Sequence, residues 1–456
     1  MNLSLSLQER RQQLSQLFDY PVILWSGKYL SRNFPANHYP FRANSHFLYF
    51  AGLQLENAVI FLEKGKLTLF IDNPPPSATL WHGETKKREE IAQIIGADAT
   101  YPIEDLKNKI IDAATIPVQD LATYHEQCRI LGRNLSSAQS LHGQDLKLAQ
   151  AIVNLRLSHD AIALEELKKA AQVSIKAHKA GIKATLKSKT EADIRSAMEA
   201  VIIAHNMGCA YNSIVTVQGE ILHRDRYSNQ LQPGDLLLAD VGAETASGWA
   251  ADITRTWAVS GKFSPTQRDI YNVVLAAHDT CIEQIRPGVE YREIHLLAAK
   301  VMAERLVDLG ILHGNPEDLV SQDAHALFFP HGIGHLLGLD VHDMEDLGDI
   351  AGYETGRTRS DRFGLGYLRL DRKLRSQMLV TIEPGFYQVP AILNNVEFRQ
   401  KYQNIVNWTR LAEFADVRGI RIEDDVLVTE NSHEILTAKL PTQIKDIESL
   451  ISNVEL

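Results

Sequence analysis

The feature that most constrains this chain is a short apolar, β-prone run with a carboxylate at its end, repeated along the sequence. Leu236-Leu237-Leu238-Ala239 runs into Asp240, and Asp252 leads into Ile253-Thr254-Arg255-Thr256-Trp257, with Gly242 and Gly248 between them. Apolar runs bracketing glycines read as a β-hairpin with one acid per strand. The pattern recurs downstream. Leu379-Val380-Thr381-Ile382 reaches Glu383, and Gly419-Ile420-Arg421-Ile422 reaches Glu423. Strand alternation puts Arg421 and Glu423 on one face. Any one of these acids alone reads equally well as a solvated turn residue. An acid at the inner end of an apolar strand, however, is costly to bury without a cation or a metal beside it.

Histidines enter in two further stretches. Ile221-Leu222-His223 follows a β-type run from Tyr211 to Val217, and His331-Gly332-Ile333-Gly334-His335 continues toward His342-Asp343. His331 and His335 have the i, i+4 spacing of a zinc-protease helix, but the glutamate of that motif is missing and the intervening glycines resist helix. Counted together, Asp240, Asp252, Glu383, Glu423 and His335 are the donor inventory of an oxygen-rich, two-metal site. Two carboxylates about 4 Å apart repel by roughly 4 kcal/mol at an effective dielectric near 20. Four of them converging without cations would protonate or push the strands apart, whereas two divalent ions balance them. Hard carboxylates with a single imidazole favour Mn2+, with Co2+, Zn2+ and Fe2+ as alternatives.

At 456 residues the chain exceeds the size at which single cores stop growing, so two domains are expected. The first, 1–156, reads as mixed α/β. A helix from Leu5 to Phe18 is followed by strands at Pro21 to Trp25, His46 to Phe50, Asn57 to Leu62 and Leu67 to Ile71, with Asn73-Pro74-Pro75-Pro76 closing the sheet. Helical signals follow at Lys86 to Ile95 and Ile103 to Ala113, and no cluster of catalytic residue types is found there. From about Leu141 long helices take over, ending near Arg156, Leu186 and Asn206, and 157–456 is read as the second domain. The fold class is therefore α/β (α+β). A net charge of −10 without a basic stripe argues against nucleic acid. No run has the length of a membrane span, and no signal peptide is recognised. Cys128, Cys209 and Cys281 form no CxxC, which fits a reducing, cytoplasmic setting.

Taken in order, DVGAE, ADITRTW, PHGIGHLLGLDVHD, TIEPGFY and GIRIEDD resemble the motifs of the pita-bread metallopeptidases, and within them the Xaa-Pro aminopeptidases and prolidases. YPFRANSHFLYFAG is similar to part of the amino-terminal domain of aminopeptidase P. The resemblance covers essentially the whole chain. The Asp240 to Asp252 interval is one residue longer than the family's usual pattern, a difference assigned to the hairpin turn. What the resemblance implies is a catalytic domain of two antiparallel sheets with helices outside. Asp240 would chelate one metal, His335 and Glu383 the other, and Asp252 and Glu423 would bridge both. Glu383 would act as general base and acid, His223 and His342 would face the substrate, and Arg421 would orient Glu423 or another neighbouring carboxylate. His331 and Tyr387 would line a proline pocket. The implied activity is release of the N-terminal residue from peptides with proline at the second position. Dipeptide cleavage, as in prolidase, is the alternative, because Gly366-Tyr367-Leu368-Arg369-Leu370 resembles a prolidase loop in which Arg369 would pair with the dipeptide's terminal carboxylate. A metal-free creatinase-like hydrolase and a non-catalytic pita-bread binding protein are disfavoured by the complete donor set. A homo-oligomer, dimer or tetramer, is implied by the resemblance alone.

Overall fold

The computed structural model describes residues 3–109 and 112–452. The chain forms two compact units: Met1–Glu165 with Ala246–Gly248 and Met344–Ala351, and Glu166–Thr245 with Trp249–Asp343 and Gly352–Leu456.

The first unit is built on a four-stranded sheet of Val22–Trp25, Val59–Glu63, Lys66–Phe70 and Ala99–Tyr101, in that order. The first three strands are antiparallel and the last is parallel to Lys66–Phe70. Lys64 and Gly65 both adopt left-handed backbone (φ 50° and 76°), the geometry of a tight turn whose twist matches the hairpin it joins. Ile23, Trp25, Val59, Phe70 and Leu106 pack together beneath the sheet. The prolines at 74–76 do not close it: Ala99–Tyr101 adds an edge, and at three residues it is too short to show a period of two.

The expected strand at His46 to Phe50 is instead part of a helix, Ser45–Ala51. Its start is fixed by Asn44, whose side chain accepts from the backbone N–H groups of His46 and Phe47, and its end by Gly52 at φ 68°. Every residue of this helix is buried, so its aromatic content reflects burial and not strand preference. The helix expected from Ile103 begins as a 3-10 turn, Ile103–Asp105, and continues as Leu106–Lys109; Ile110 and Ile111 lie outside the described residues. A helix over Leu121–Leu131, capped by Asp120, has no counterpart in the sequence reading.

The second unit carries the long helices Ala161–Ala184, which begins just before it, Glu191–Ala204, Pro265–Glu283 and Tyr291–Asp308. Capping boxes start two of them: Thr190 pairs reciprocally with Asp193, and Ser264, followed by Pro265, with Gln267. Two three-stranded antiparallel sheets hold the acids. In one, Leu236–Asp240 lies between Ile214–Thr216 and Thr254–Ala258; in the other, Asp424–Val428 lies between Leu379–Ile382 and His433–Ile435. The sheets are welded by Arg255, fully buried, whose guanidinium donates to the carbonyls of Thr254, Glu423, Leu440 and Pro441 and to Asp424. A charge this deep is tolerated because every donor has an acceptor.

Candidate metal centre and active site

Asp240 is the last residue of the central strand Leu236–Asp240, paired with Ile214 on one side and Thr254 on the other. Asp252 lies just ahead of Thr254–Ala258, and its backbone N–H donates to the Asp425 carboxylate at 3.2 Å. Glu383 follows Leu379–Ile382, and Glu423 sits in the short break between Gly419–Arg421 and Asp424–Val428. His335 comes from the glycine-flanked loop, which forms no helix. Its backbone N–H donates to Thr381 Oγ1 at 3.1 Å, and its Nδ1 lies 3.0 Å from the Leu336 carbonyl. Because Nδ1 carries the proton for that carbonyl, Nε2 keeps its lone pair and faces Asp252 Oδ2 at 3.4 Å and Glu383 Oε1 at 3.6 Å.

All five donors singled out in the sequence therefore meet. Their ligand atoms form three overlapping groups, each within 4.8 Å: Asp252, His335 and His342; His335, Glu383 and Glu423; and Asp240, Asp252 and Glu423. Burial and mutual repulsion make this cluster electrostatically incomplete. Asp252 and Glu423 are pushed well above the ordinary carboxylate range, first by burial and then by neighbouring carboxylates. Burial raises Glu383 to about 7, against the opposing pull of His335 and Arg421. The Tyr211 hydroxyl lies 2.5 Å from both Asp240 Oδ1 and Asp252 Oδ1, and one phenolic proton cannot serve both. A cluster of acids this close and this buried is short of positive charge. Divalent ions would supply that charge, so this donor set fits a two-metal centre.

The Arg421 guanidinium is hydrogen-bonded to the cluster. Arg421 Nη2 lies 2.5 Å from Asp240 Oδ2, its Nε donates to Thr254 Oγ1 at 3.0 Å, and its Nη1 donates to the Tyr387 hydroxyl at 3.1 Å. Thr254 in turn donates to Glu423 Oε2 at 2.6 Å. Arg421 thus holds Asp240 directly and Glu423 through a hydroxyl.

The donors open onto a cavity of about 370 Å³ whose remaining wall includes Leu222, His223, Pro330, His331, Tyr367 and Arg369. Tyr387 is fully buried behind His331 and does not form that wall: its hydroxyl lies 2.9 Å from His331 Nε2, completing a chain from Arg421 through Tyr387 to His331. The pocket imidazoles are held neutral. Burial, reinforced by Arg421, lowers His331 to about 3 and keeps His223 below its ordinary value. Burial and then His335 lower His342 to about 2, its ring centroid 4.1 Å from that of His335. The sequence reading did not single out Tyr211, Thr254, Thr381 or Asp425. They are ordinary polar residues of strands and loops, and only their contacts in space distinguish them.

Carboxylates and an imidazole gathered at the ends of two antiparallel sheets, beside a walled cavity, define a metallohydrolase centre. The model of metallopeptidase family M24 matches residues 165–430, and that of the aminopeptidase P N-terminal domain matches residues 7–117. A Xaa-Pro aminopeptidase of Haemophilus influenzae is 32% identical over 429 residues, 91% of this chain and 89% of that protein. A probable Xaa-Pro aminopeptidase of Penicillium rubens is 31% identical over 428 residues, 90% of this chain and 88% of that protein. Among solved structures, Pseudomonas aeruginosa aminopeptidase PepP superposes with a TM-score of 0.81 at 26% identity, covering 99% of this chain and 98% of that one. The chain belongs to metallopeptidase family M24, with a pita-bread second domain and an aminopeptidase P N-terminal domain.

Proposed function

We propose that this chain is a metal-dependent Xaa-Pro aminopeptidase, cleaving the bond between the first residue of a peptide and a proline at the second position. The observation that carries the reading is the convergence of Asp240, Asp252, His335, Glu383 and Glu423 on a cavity partly walled by Leu222, Pro330, His331 and Tyr367. A proline ring is rigid and its imide nitrogen donates nothing, so a compact apolar and aromatic wall accepts it where a peptide N–H acceptor is of no use.

In this reading the five donors hold two divalent ions, with Mn2+ the first choice for so carboxylate-rich a set. Bound there, the ions would supply an acidified water and a polarised scissile carbonyl. The chain's own groups supply the rest. Glu383, on the cavity wall, takes the proton released during attack and returns it to the departing proline nitrogen. Neutral His223 and His342 each have one N–H for the developing oxyanion or the leaving imide. Arg421 fixes Asp240, and the Gly332 carbonyl, 2.7 Å from His331 Nδ1, fixes that ring's tautomer so that its Nε2 accepts from Tyr387. Residues 157–456 form the catalytic domain in this reading, acting in a reducing compartment where Cys128, Cys209 and Cys281 stay free.

A dipeptidase reading has one specific observation in its favour, Arg369 on the cavity wall, where a guanidinium could take a terminal carboxylate. The deciding experiment strips the protein with chelator, restores Mn2+, and compares Ala-Pro, Ala-Pro-Ala and Ala-Ala-Ala. Metal-dependent cleavage of the tripeptide containing proline, with the all-alanine control left intact, is expected. Turnover that survives chelation, or no preference for proline, would sink the proposal.

A further inference from the structure

A second cavity, also about 370 Å³, is lined by Asp240 and Asp252 of the same donor set. The two cavities share His223, Asp240, Asp252 and His342, so the reacting bond lies where they meet. If the side with Leu222, Pro330, His331 and Tyr367 takes the proline ring, the residue released from the N-terminus must project into the second cavity. This step rests on the proposed Xaa-Pro activity.

The second cavity has a different chemistry. Ile214 and Val341 give it apolar sides, while Asn212, Arg224 and Asp225 supply its polar groups beyond the shared residues and Tyr211. Arg224 is half-buried, and its Nε is enclosed with no hydrogen-bond partner among the described residues. An N–H that is shielded from water and unpaired is costly, and a carboxylate brought to the Arg224 Nε would recover that cost. Asp225 carries the opposite charge but is exposed. Charges interact several-fold more strongly across a protein wall than across water, so the half-buried Arg224, with its enclosed Nε, acts on a ligand in this cavity more strongly than the solvated Asp225 carboxylate. With the donor aspartates neutralised by cations, Arg224 sets the sign of this cavity.

We infer that Arg224 selects peptides whose first residue carries a carboxylate, so that the preferred substrates have an acidic residue ahead of proline. Nothing in the sequence motifs marks Arg224. It follows His223 directly, and its significance comes from the cavity it lines.

The test measures kcat/KM of the Mn2+-loaded full chain on Glu-Pro-Ala, Gln-Pro-Ala, Lys-Pro-Ala and Ala-Pro-Ala, with Arg224→Lys, Arg224→Gln and Arg224→Glu beside the wild type. The Glu-to-Lys ratio is read because it is independent of the fraction of folded or loaded protein. A ratio of about tenfold or more is expected for the wild type, the scale of a partly desolvated charge-assisted hydrogen bond. It should persist in Arg224→Lys, fall toward one in Arg224→Gln, and invert in Arg224→Glu. A wild-type ratio at or below one, a ratio unmoved in Arg224→Glu, or equal rates on Glu-Pro-Ala and Gln-Pro-Ala would each overturn the inference while Ala-Pro-Ala is still cleaved. Loss of cleavage of every peptide by the loaded wild type would instead overturn the Xaa-Pro reading, and the inference with it.

Discussion

Gly242 lies in the link between Asp240 and Asp252, and a single methyl group there tests how tightly the geometry of these two carboxylates is set. A Cβ at this position would stand 1.8 Å from the Ala251 carbonyl oxygen and 2.9 Å from a ring carbon of Tyr211. The first obstacle is backbone, with no rotamer to move away, and the contact becomes ordinary only after an opening of roughly 1.5 Å. Ala251 precedes Asp252, and Tyr211 holds Asp240 and Asp252 together, so the displacement falls directly on donor atoms that now meet within 4.8 Å. Overpacking of this kind costs about 1–3 kcal/mol, and backbone involvement puts Gly242→Ala at the upper end. The expected outcome is a Tm lowered by roughly 3–5 °C, together with a weakening of Mn2+ affinity of at least tenfold in calorimetric titration of the chelator-treated protein. Gly208→Ala is the control, because a Cβ there meets nothing within 4 Å. Metal affinity unchanged in Gly242→Ala would refute the argument that close backbone approach positions Asp240 and Asp252.

Three further outcomes are expected. Arg421→Met should destabilise the metal-free protein by about 3–5 kcal/mol in chemical denaturation, since it strands buried Asp240, and Arg421→Lys should rescue it poorly because one ammonium cannot replace the fork reaching Asp240, Thr254 and Tyr387. Arg369→Ala should raise KM about tenfold for Xaa-Pro dipeptides while sparing tripeptides; equal loss on both would count against a role in binding a terminal carboxylate. Burial holds His178 down at about 4, while its Nε2 lies 3.0 Å from the Val241 carbonyl. Unfolded, it titrates near 6.5, so below that pH the unfolded chain gains a proton that the folded chain refuses, and stability is lost as pH falls toward 4. In chelator-treated protein, His178→Gln should gain about 2 kcal/mol relative to wild type when urea melts are moved from pH 7.5 to pH 5. A difference independent of pH would show that His178 is not held neutral.

Much of the site could be read before any fold was known because each donor is marked by local physics. A single acid beside Leu236-Leu237-Leu238-Ala239, or after Leu379-Val380-Thr381-Ile382, reads equally well as a turn residue, but four acids each at the end of an apolar strand, with His335, add up to a metal-site inventory. Glycines around Ile333 likewise excluded the zinc-protease helix, and the structure has loop there. Local physics misled at His46 to Phe50, where aromatic, β-prone residues were read as strand. Asn44 and Gly52 cap that segment as a helix, and its complete burial hides the helical period.

The sequence by itself marked Asp240, Asp252, Glu383, Glu423 and His335 as a donor set whose charges ask for cations, since charge, donor type and strand position are local properties. Tertiary structure alone decided which groups hold those side chains in place. Tyr211 spanning two aspartates 29 and 41 positions away and Thr254 reaching Glu423 across 169 are hydrogen bonds made only by folding, and Arg421, expected beside Glu423 or another neighbouring carboxylate, is placed by the fold on Asp240 across 181. The same is true of Arg224, whose position after His223 says nothing until the cavity is formed. A hydrogen bond acts over about 3 Å, and no rule of spacing along a chain reports which distant residues come that close.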